Sequence, residues 1–200
     1  MDERNAAADP SRMPVAGPPT VLVRPLEPTD RQALVDGFER LSPTSRYFRF
    51  ATPKPRLTGT DLRALLDVDH HDREALVAHE SASGSVVAIA RYVRFPDQPT
   101  TAEVAIAVVD AWQGRGVGRW LLALLARRAA EEGITRLRAE VLLANRRALL
   151  LLRRAGFVAV AWEGAMVTLE SPEPVSAVVH ALPVELRLHG SDLDALERTA

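Results

Sequence analysis

The sequence predicts a single α/β domain built on a mixed central sheet, and three observations carry that expectation. Segments of alternating apolar and polar residues exchange along the chain with segments whose apolar residues fall at helical spacing. The stretch 101–109 is apolar on both faces after Glu103, which suits a central strand covered by helices on either side. The element order is strand, helices, three strands, helix, strand, helix, two strands, with no internal repeat and no linker at its midpoint. About seven strands are expected, with helices on both faces.

Residues 1–19 hold Pro10, Pro14, Pro18 and Pro19 among small residues and read as a disordered arm. The domain is expected over residues 20–170 and a tail over 171–200. VLVRPLE (21–27) is a strand by composition. Thr29-Asp30-Arg31-Gln32 has the form of a capping box, and Leu34, Val35, Phe38 and Leu41 follow at helical spacing. Ser42-Pro43 offers a second helix its N-cap and first residue. Leu62, Leu65 and Leu66 mark a third helix after Thr58 and Thr60. EALVAH (74–79) and SVVAIARYVRF (85–95) alternate as strands around a Ser-Ala-Ser-Gly turn. PDQP (96–99) breaks the run before the strand at 101–109.

After a glycine loop, Val117, Leu121, Leu124 and Leu125 give an apolar helical stripe, and Gly133 is placed to end that helix. Leu137, Ala139, Val141 and Leu143 share one face of the next strand. Asn145 opens a helix closed by Gly156, and 157–162 with 165–170 read as a final hairpin. The tail carries Pro172, Pro174 and Pro183, and a short helix is expected from Asp192.

Composition narrows the function classes. The 200 residues are 47% apolar and 26% charged, which is the globular range. Twenty-five basic against 26 acidic residues leave a net charge of -1, without the basic excess of a nucleic-acid binder or a polybasic membrane anchor. No run approaches the ~18 apolar residues of a membrane span, and the polar MDERNAAADP start has no signal core. A soluble cytoplasmic protein is expected. The chain has no cysteine, which removes disulfides, thiolate metal sites and a cysteine nucleophile.

VAIAVVDAWQGRGVG (104–118) is the most informative stretch. A buried strand runs into Gly114, Gly116 and Gly118 and then directly into a helix. Glycines there let backbone N–H groups converge, and the helix N-terminus adds its free N–H groups and positive dipole end. The result suits a phosphate or pyrophosphate, with Arg115 and Arg119 beside it. A Walker loop would need Gly-Lys-Ser/Thr, and this chain has Gly-Val-Gly. A dinucleotide fingerprint would need G-x-G-x-x-G and an acidic residue at the next strand end, whereas Glu131 and Glu132 fall on the helix. Gln113-Gly114-Arg115-Gly116-Val117-Gly118 instead has the form of a Gln-x-x-Gly-x-Gly-type loop that holds the pyrophosphate of coenzyme A.

On these residues, residues 20–170 resemble the GNAT superfamily of N-acetyltransferases. The start, VRPLEPTD and FERLSPTSRYFRF, looks like the acetyltransferase domain of bacterial protein lysine acetyltransferases. Some of those carry a cyclic-nucleotide-binding or acyl-CoA-synthetase-like domain, for which 200 residues leave no room. The resemblance implies acetyl-CoA as co-substrate. Backbone groups of Ile106, Val108 and Val109 would pair with the pantetheine arm. Gly114, Gly116 and Gly118 would hold the pyrophosphate, with Gln113, Arg115, Val117 and Arg119 at the same end. Asn145 would bond near the pantetheine, while its local chemistry also makes it a plain N-cap.

An amine acceptor arrives protonated at neutral pH, so a base is needed. Glu103 is the candidate, the one acid in an apolar strand, where partial burial is expected to tune it. The look-alike lysine acetyltransferases carry a glutamate at this position. The N–H near Val108 would stabilise the oxyanion. Leu152 stands where the family places a tyrosine that protonates the leaving thiolate, so that general acid is missing. Without cysteine, direct transfer in a ternary complex is expected.

No metal site is expected, since the adjacent His70 and His71 point apart and lack a third ligand. Tyr47, Phe48, Phe50, Arg46 and Arg49 fall where the family shapes its acceptor pocket; Trp112 reads as packing. The acceptor is expected to be a primary amine, such as a protein lysine, with the chain a monomer or homodimer. The rival readings are a small-molecule amine acetyltransferase and a non-catalytic acyl-CoA-binding module.

Overall fold

In a computed structural model the described residues are 15–16 and 21–181. The strands are β1 (Val15–Ala16), β2 (Val21–Pro25), β3 (Arg73–Glu80), β4 (Val86–Phe95), β5 (Gln98–Val108), β6 (Arg136–Leu142), β7 (Val158–Glu163) and β8 (Met166–Glu170). The helices are α1 (Arg31–Glu39), α2 (Pro43–Phe50), α3 (Gly59–Leu66), α4 (Val117–Glu131), α5 (Arg146–Arg154) and α6 (Ser176–Ala181). The expected fold is present: one mixed sheet in the order β1-β2-β3-β4-β5-β6-β8-β7. Seven of its strands follow the sequence pattern. The two-residue β1 adds to the edge from within the stretch expected to be an unstructured arm, pairing antiparallel with β2.

Local chemistry explains most boundaries. Ser42 caps α2 by accepting from the Ser45 N–H, with Pro43 at the first position. Thr58 and Asp61 form a capping box at α3. Gly133 and Gly156 take φ of +74° and +87° just after α4 and α5. The first helix departs from the expectation. Thr29 does not cap it; Asp30 does the polar work, accepting from the Glu27 N–H at 2.8 Å and from Arg24 at 2.6 and 2.7 Å. Asp30 is buried, which opposes its charge, but the Arg24 and Glu27 donors outweigh that and hold its carboxyl below the ordinary range.

PDQP does break the run, but only its first two residues lie outside the strands. Its Pro96-Asp97 turns a hairpin, and β5 begins at Gln98 rather than Thr101. Leu143 lies just past β6 and is 44% exposed, so it leaves the buried face that Leu137, Ala139 and Val141 share.

One apolar layer packs the sheet against α1 and α3, through Leu26, Leu34, Leu62, Ala75 and Val77. The larger cluster includes Tyr92, Val104, Trp120, Leu121, Leu125 and Leu137 under α4. Val175 and Val178 belong to that cluster, so the packed chain continues past Glu170. The helix expected from Asp192 lies outside the described residues. No helix among the described residues is long and apolar enough to cross a membrane.

Candidate active site

The site follows from one asymmetry of β5. On one side it pairs antiparallel with β4 along its length, to Ala88↔Val108. On the other it pairs parallel with β6 only at Thr101↔Arg136, Ala102↔Leu137 and Glu103↔Arg138. Beyond Glu103 the two strands part, while β6 keeps β8 on its other edge through Leu142↔Met166. The backbone of β5 between residues 104 and 108 therefore borders an opening.

Alternation decides which groups face it. The Val109 N–H donates to the Val87 carbonyl at 2.8 Å, so odd-numbered residues of this stretch bond β4 and Val104, Ile106 and Val108 point towards β6. The backbone groups of Ile106 and Val108 thus face the opening. The Val109 N–H does not, against the expectation: it is spent on β4, and the side chain is buried.

The glycine loop closes the end of this opening. Gly114 and Gly116 have φ of +77° and +88°, and a Cβ at either would meet nothing within 4 Å. Left-handed backbone, rather than crowding, calls for glycine at both. Gly116 caps α4, whose first intrahelical bond runs from the Trp120 N–H to the Gly116 carbonyl at 3.0 Å. The N–H groups of Val117, Gly118 and Arg119 precede it, at the positive end of a 15-residue helix. The Val117 side chain is buried, so it has only its backbone to offer a ligand. The Gly118 Cβ position lies 3.4 Å from Val108 Cγ2 and 3.6 Å from Leu151 Cδ2, which ties α4 closely to β5 and α5. Arg115 lies over the buried Trp112 ring at 5.1 Å, and Arg119 is half-buried in the first turn. The cradle, the dipole end and the cations fit a pyrophosphate, and the open edge of β5 fits an extended amide-bearing arm.

Gln113 differs from its expected place among the ligand groups. Its Nε2 donates to the Val108 carbonyl at 3.0 Å and to Ser45 Oγ at 3.1 Å, and its Oε1 accepts from Arg147. The side chain's polar atoms are thus taken up by protein partners, at the end of the opening where the Val108 carbonyl faces. Asn145 caps α5, its Oδ1 accepting from the Ala148 N–H at 3.2 Å. Leu152 is a core residue at 5% exposure, so its position points inward and not at the opening.

Glu103 occupies the last paired position, at the vertex of the opening. Its side chain is exposed, which corrects the expected partial burial. The packed layers leave this place on the sheet face uncovered. By alternation Glu103 shares a face with Ala105, Ala107 and Val109. Ala107 and Val109 line a small pocket with Phe38, Leu41, Phe50 and Leu57; Arg49 is its one charged lining residue. Arg49 lies over the Phe50 ring at 5.0 Å; burial first, and then the charge of Arg91, push its guanidinium below the ordinary value. Arg46 is structural, donating to the Pro55 and Glu39 carbonyls at 2.9 Å each. Tyr47 is exposed. His70 faces Glu74 at 2.9 Å, and His71 faces Glu132, on separate carboxylates.

Sequence reasoning missed Asp110. Its Oδ2 accepts from the Ser42 N–H at 2.8 Å, and its Oδ1 from the Ser42 and Ser45 hydroxyls at 2.8 Å each. Burial opposes its charge, but these donors outweigh it and hold the carboxyl below the ordinary range. Its only sequence signal is an acid between an apolar strand and the glycine loop.

A splayed strand pair ending in a glycine cradle at a helix N-terminus, on an α/β scaffold, has the chemistry to receive an acyl-coenzyme A. Comparison with known proteins agrees: the family description "Acetyltransferase (GNAT) family" matches residues 38–157. The chain is 35% identical over 157 residues to the acetyltransferase Pat of Mycolicibacterium smegmatis, covering 78% of itself but 47% of that protein. It thus spans about half the length of that relative. An acetyltransferase of Pseudomonas aeruginosa is 30% identical over 164 residues, 81% of this chain and 83% of that one. The crystal structure of the GNAT domain of S. lividans PAT superposes with a TM-score of 0.74 at 35% identity, covering 82% of this chain and 97% of that one. The chain belongs to the GNAT acetyltransferase family, whose co-substrate is acetyl-CoA.

Proposed function

We propose that the chain transfers acetyl from acetyl-CoA directly to a primary amine, a protein lysine, in a ternary complex. The observation that carries this is the opening between β5 and β6, with Glu103 at its vertex and the glycine cradle at its far end. Acetyl-CoA supplies an activated acetyl thioester. The N–H of Ile106 pairs with its extended arm, and those of Gly114, Gly116, Val117, Gly118 and Arg119 hold its pyrophosphate, with the Arg115 and Arg119 side chains adding charge. Asn145 stands at the start of α5 on the same loop side.

Glu103 takes the proton that the acceptor ammonium must lose before it attacks. Its exposure fits that task, because the acceptor reaches it from solvent. The Val108 N–H points into the opening and donates to the oxyanion of the tetrahedral intermediate. Leu152 is buried and supplies no proton, so the leaving thiolate, of a thiol with ordinary pKa about 8.5, takes its proton from water.

The protein lysine rests on the resemblance of residues 21–50 to bacterial protein lysine acetyltransferases. One observation favours a small apolar amine as a second reading: the pocket beside Ala107 and Val109 is lined almost wholly by apolar side chains. The deciding experiment follows thiol release from acetyl-CoA against an amine panel and a lysine-bearing protein. Acetylation of the protein with weak use of the panel supports the first reading, and the reverse supports the second. Binding without release for any acceptor would identify a non-catalytic module. Glu103→Gln is expected to lower kcat at neutral pH by about 10²–10⁴-fold with little change in acetyl-CoA affinity; unchanged turnover would remove Glu103 from the mechanism.

A further inference from the structure

The glycine loop has little packing of its own. Nothing lies within 4 Å of a Cβ at Gly114 or Gly116, and Arg115 is exposed. Between the buried Trp112 and Val117, Gln113 makes the loop's side-chain hydrogen bonds to the rest of the protein, beside the Arg115 contact with the Trp112 ring. Its amide is saturated in one orientation: Nε2 faces two acceptors, Val108 O and Ser45 Oγ, and Oε1 faces the Arg147 guanidinium, which can only donate. The Ser45 hydroxyl accepts from Gln113 and so must spend its own proton on Asp110, 2.8 Å away. Asp110 receives two further donors from Ser42, at the N-terminus of α2, where the helix dipole also favours its charge. A chain of hydrogen bonds thus runs from the start of α2 through Asp110, Ser45 and Gln113 to the end of β5 and to α5.

We propose that Asp110 is a positioning residue for the coenzyme loop. It orients Ser45, which orients Gln113, which fixes the loop against Val108 before the ligand arrives. Gln113 also occupies the Val108 carbonyl, so what Val108 offers the opening is its N–H. The proposal rests on the reading that the loop holds the pyrophosphate. A loop preset in this way spares the ordering entropy that an unanchored glycine loop pays on binding.

The test compares two thioester donors, acetyl-CoA and S-acetylpantetheine, which lacks the pyrophosphate. Asp110→Asn keeps shape but turns a donating NH2 towards either the Ser42 N–H or the two hydroxyls. The ratio of kcat/KM for acetyl-CoA to that for S-acetylpantetheine is expected to fall about tenfold, carried by KM for acetyl-CoA; this matches one charge-assisted hydrogen bond. Ser45→Ala, which keeps the helix and removes only the connecting hydroxyl, is expected to lower the same ratio. Thermal unfolding of both variants checks that they fold. An equal loss with both donors, or no loss with either, overturns the proposal, because general destabilisation does not distinguish donors by their phosphates. If the wild-type protein itself does not prefer acetyl-CoA, the pyrophosphate reading of the loop fails first, and the positioning role with it.

Discussion

Gly116 and Gly118 lie two residues apart in the same motif, yet alanine at each should have opposite effects on stability. Gly116 has φ +88° and ψ -12° as the cap of α4. Its Cβ would meet nothing within 4 Å, so the penalty of Gly116→Ala is conformational and not steric. Left-handed backbone costs a non-glycine residue about 1–2 kcal/mol. In a domain of this size each kcal/mol moves Tm by about 2–4 °C, so Gly116→Ala should melt about 2–8 °C lower. Gly118 is inside α4, where alanine is favoured over glycine by up to about 1 kcal/mol. Its new Cβ would sit 3.4 Å from Val108 Cγ2 and 3.6 Å from Leu151 Cδ2, ordinary contact distances. Gly118→Ala should therefore melt at the wild-type temperature or up to about 4 °C higher. The assay is thermal unfolding without ligand, with reversibility checked. Equal losses in the two variants would refute the assignment of left-handed backbone to Gly116 alone of the pair.

Leu152→Tyr restores the residue type common in the family, but into a core position at 5% exposure. It is expected to cost about 1–3 kcal/mol from overpacking without raising kcat; a faster, equally stable variant would show that the position reaches the site after all. Asp61 tests the acid limb of stability. The Lys54 ammonium at 2.5 Å, then the Thr58 hydroxyl and N–H, hold its carboxyl at about 2, against an ordinary 3.8. A carboxyl lowered by folding stabilises above its ordinary value, and that contribution disappears as pH falls from about 4 towards 2. Asp61→Asn should thus lower Tm near neutral pH, with the gap to wild type closing by about pH 2; a gap unchanged across that range would contradict the assigned donors.

Most elements were legible because their signals are local. Ser42-Pro43, Thr58 with Asp61, and Gly133 and Gly156 mark helix ends through bonds within a few residues. The glycine loop was legible for the same reason. What the sequence hid depends on partners far along the chain. Asp110 acts on residues 65 and 68 positions away. Gln113 was assigned to the ligand because its motif says nothing of Ser45 or Arg147. Asp30 displaced Thr29 as the polar anchor of the first helix because Arg24, on β2, reaches it.

The parting of β5 from β6 was hidden for a deeper reason. An apolar strand reads the same whether its edge is paired or open, since alternation records side-chain faces and not backbone partners. Only the register shows that pairing stops at Glu103. Glu103 is exposed in a strand whose composition implied burial, because coverage of the sheet face is set by distant elements that composition does not record. The end of the pairing leaves the N–H groups of Ile106 and Val108 facing the opening. Val109, by contrast, was lost to the ligand because alternation gives its N–H to Val87. For the base proposed at Glu103, place matters more than burial: it stands where the opening between β5 and β6 meets the sheet face that Ala107 and Val109 share with the pocket. A base for an amine that arrives protonated from water must be reachable by that amine, and an exposed carboxylate at the last paired position meets that condition.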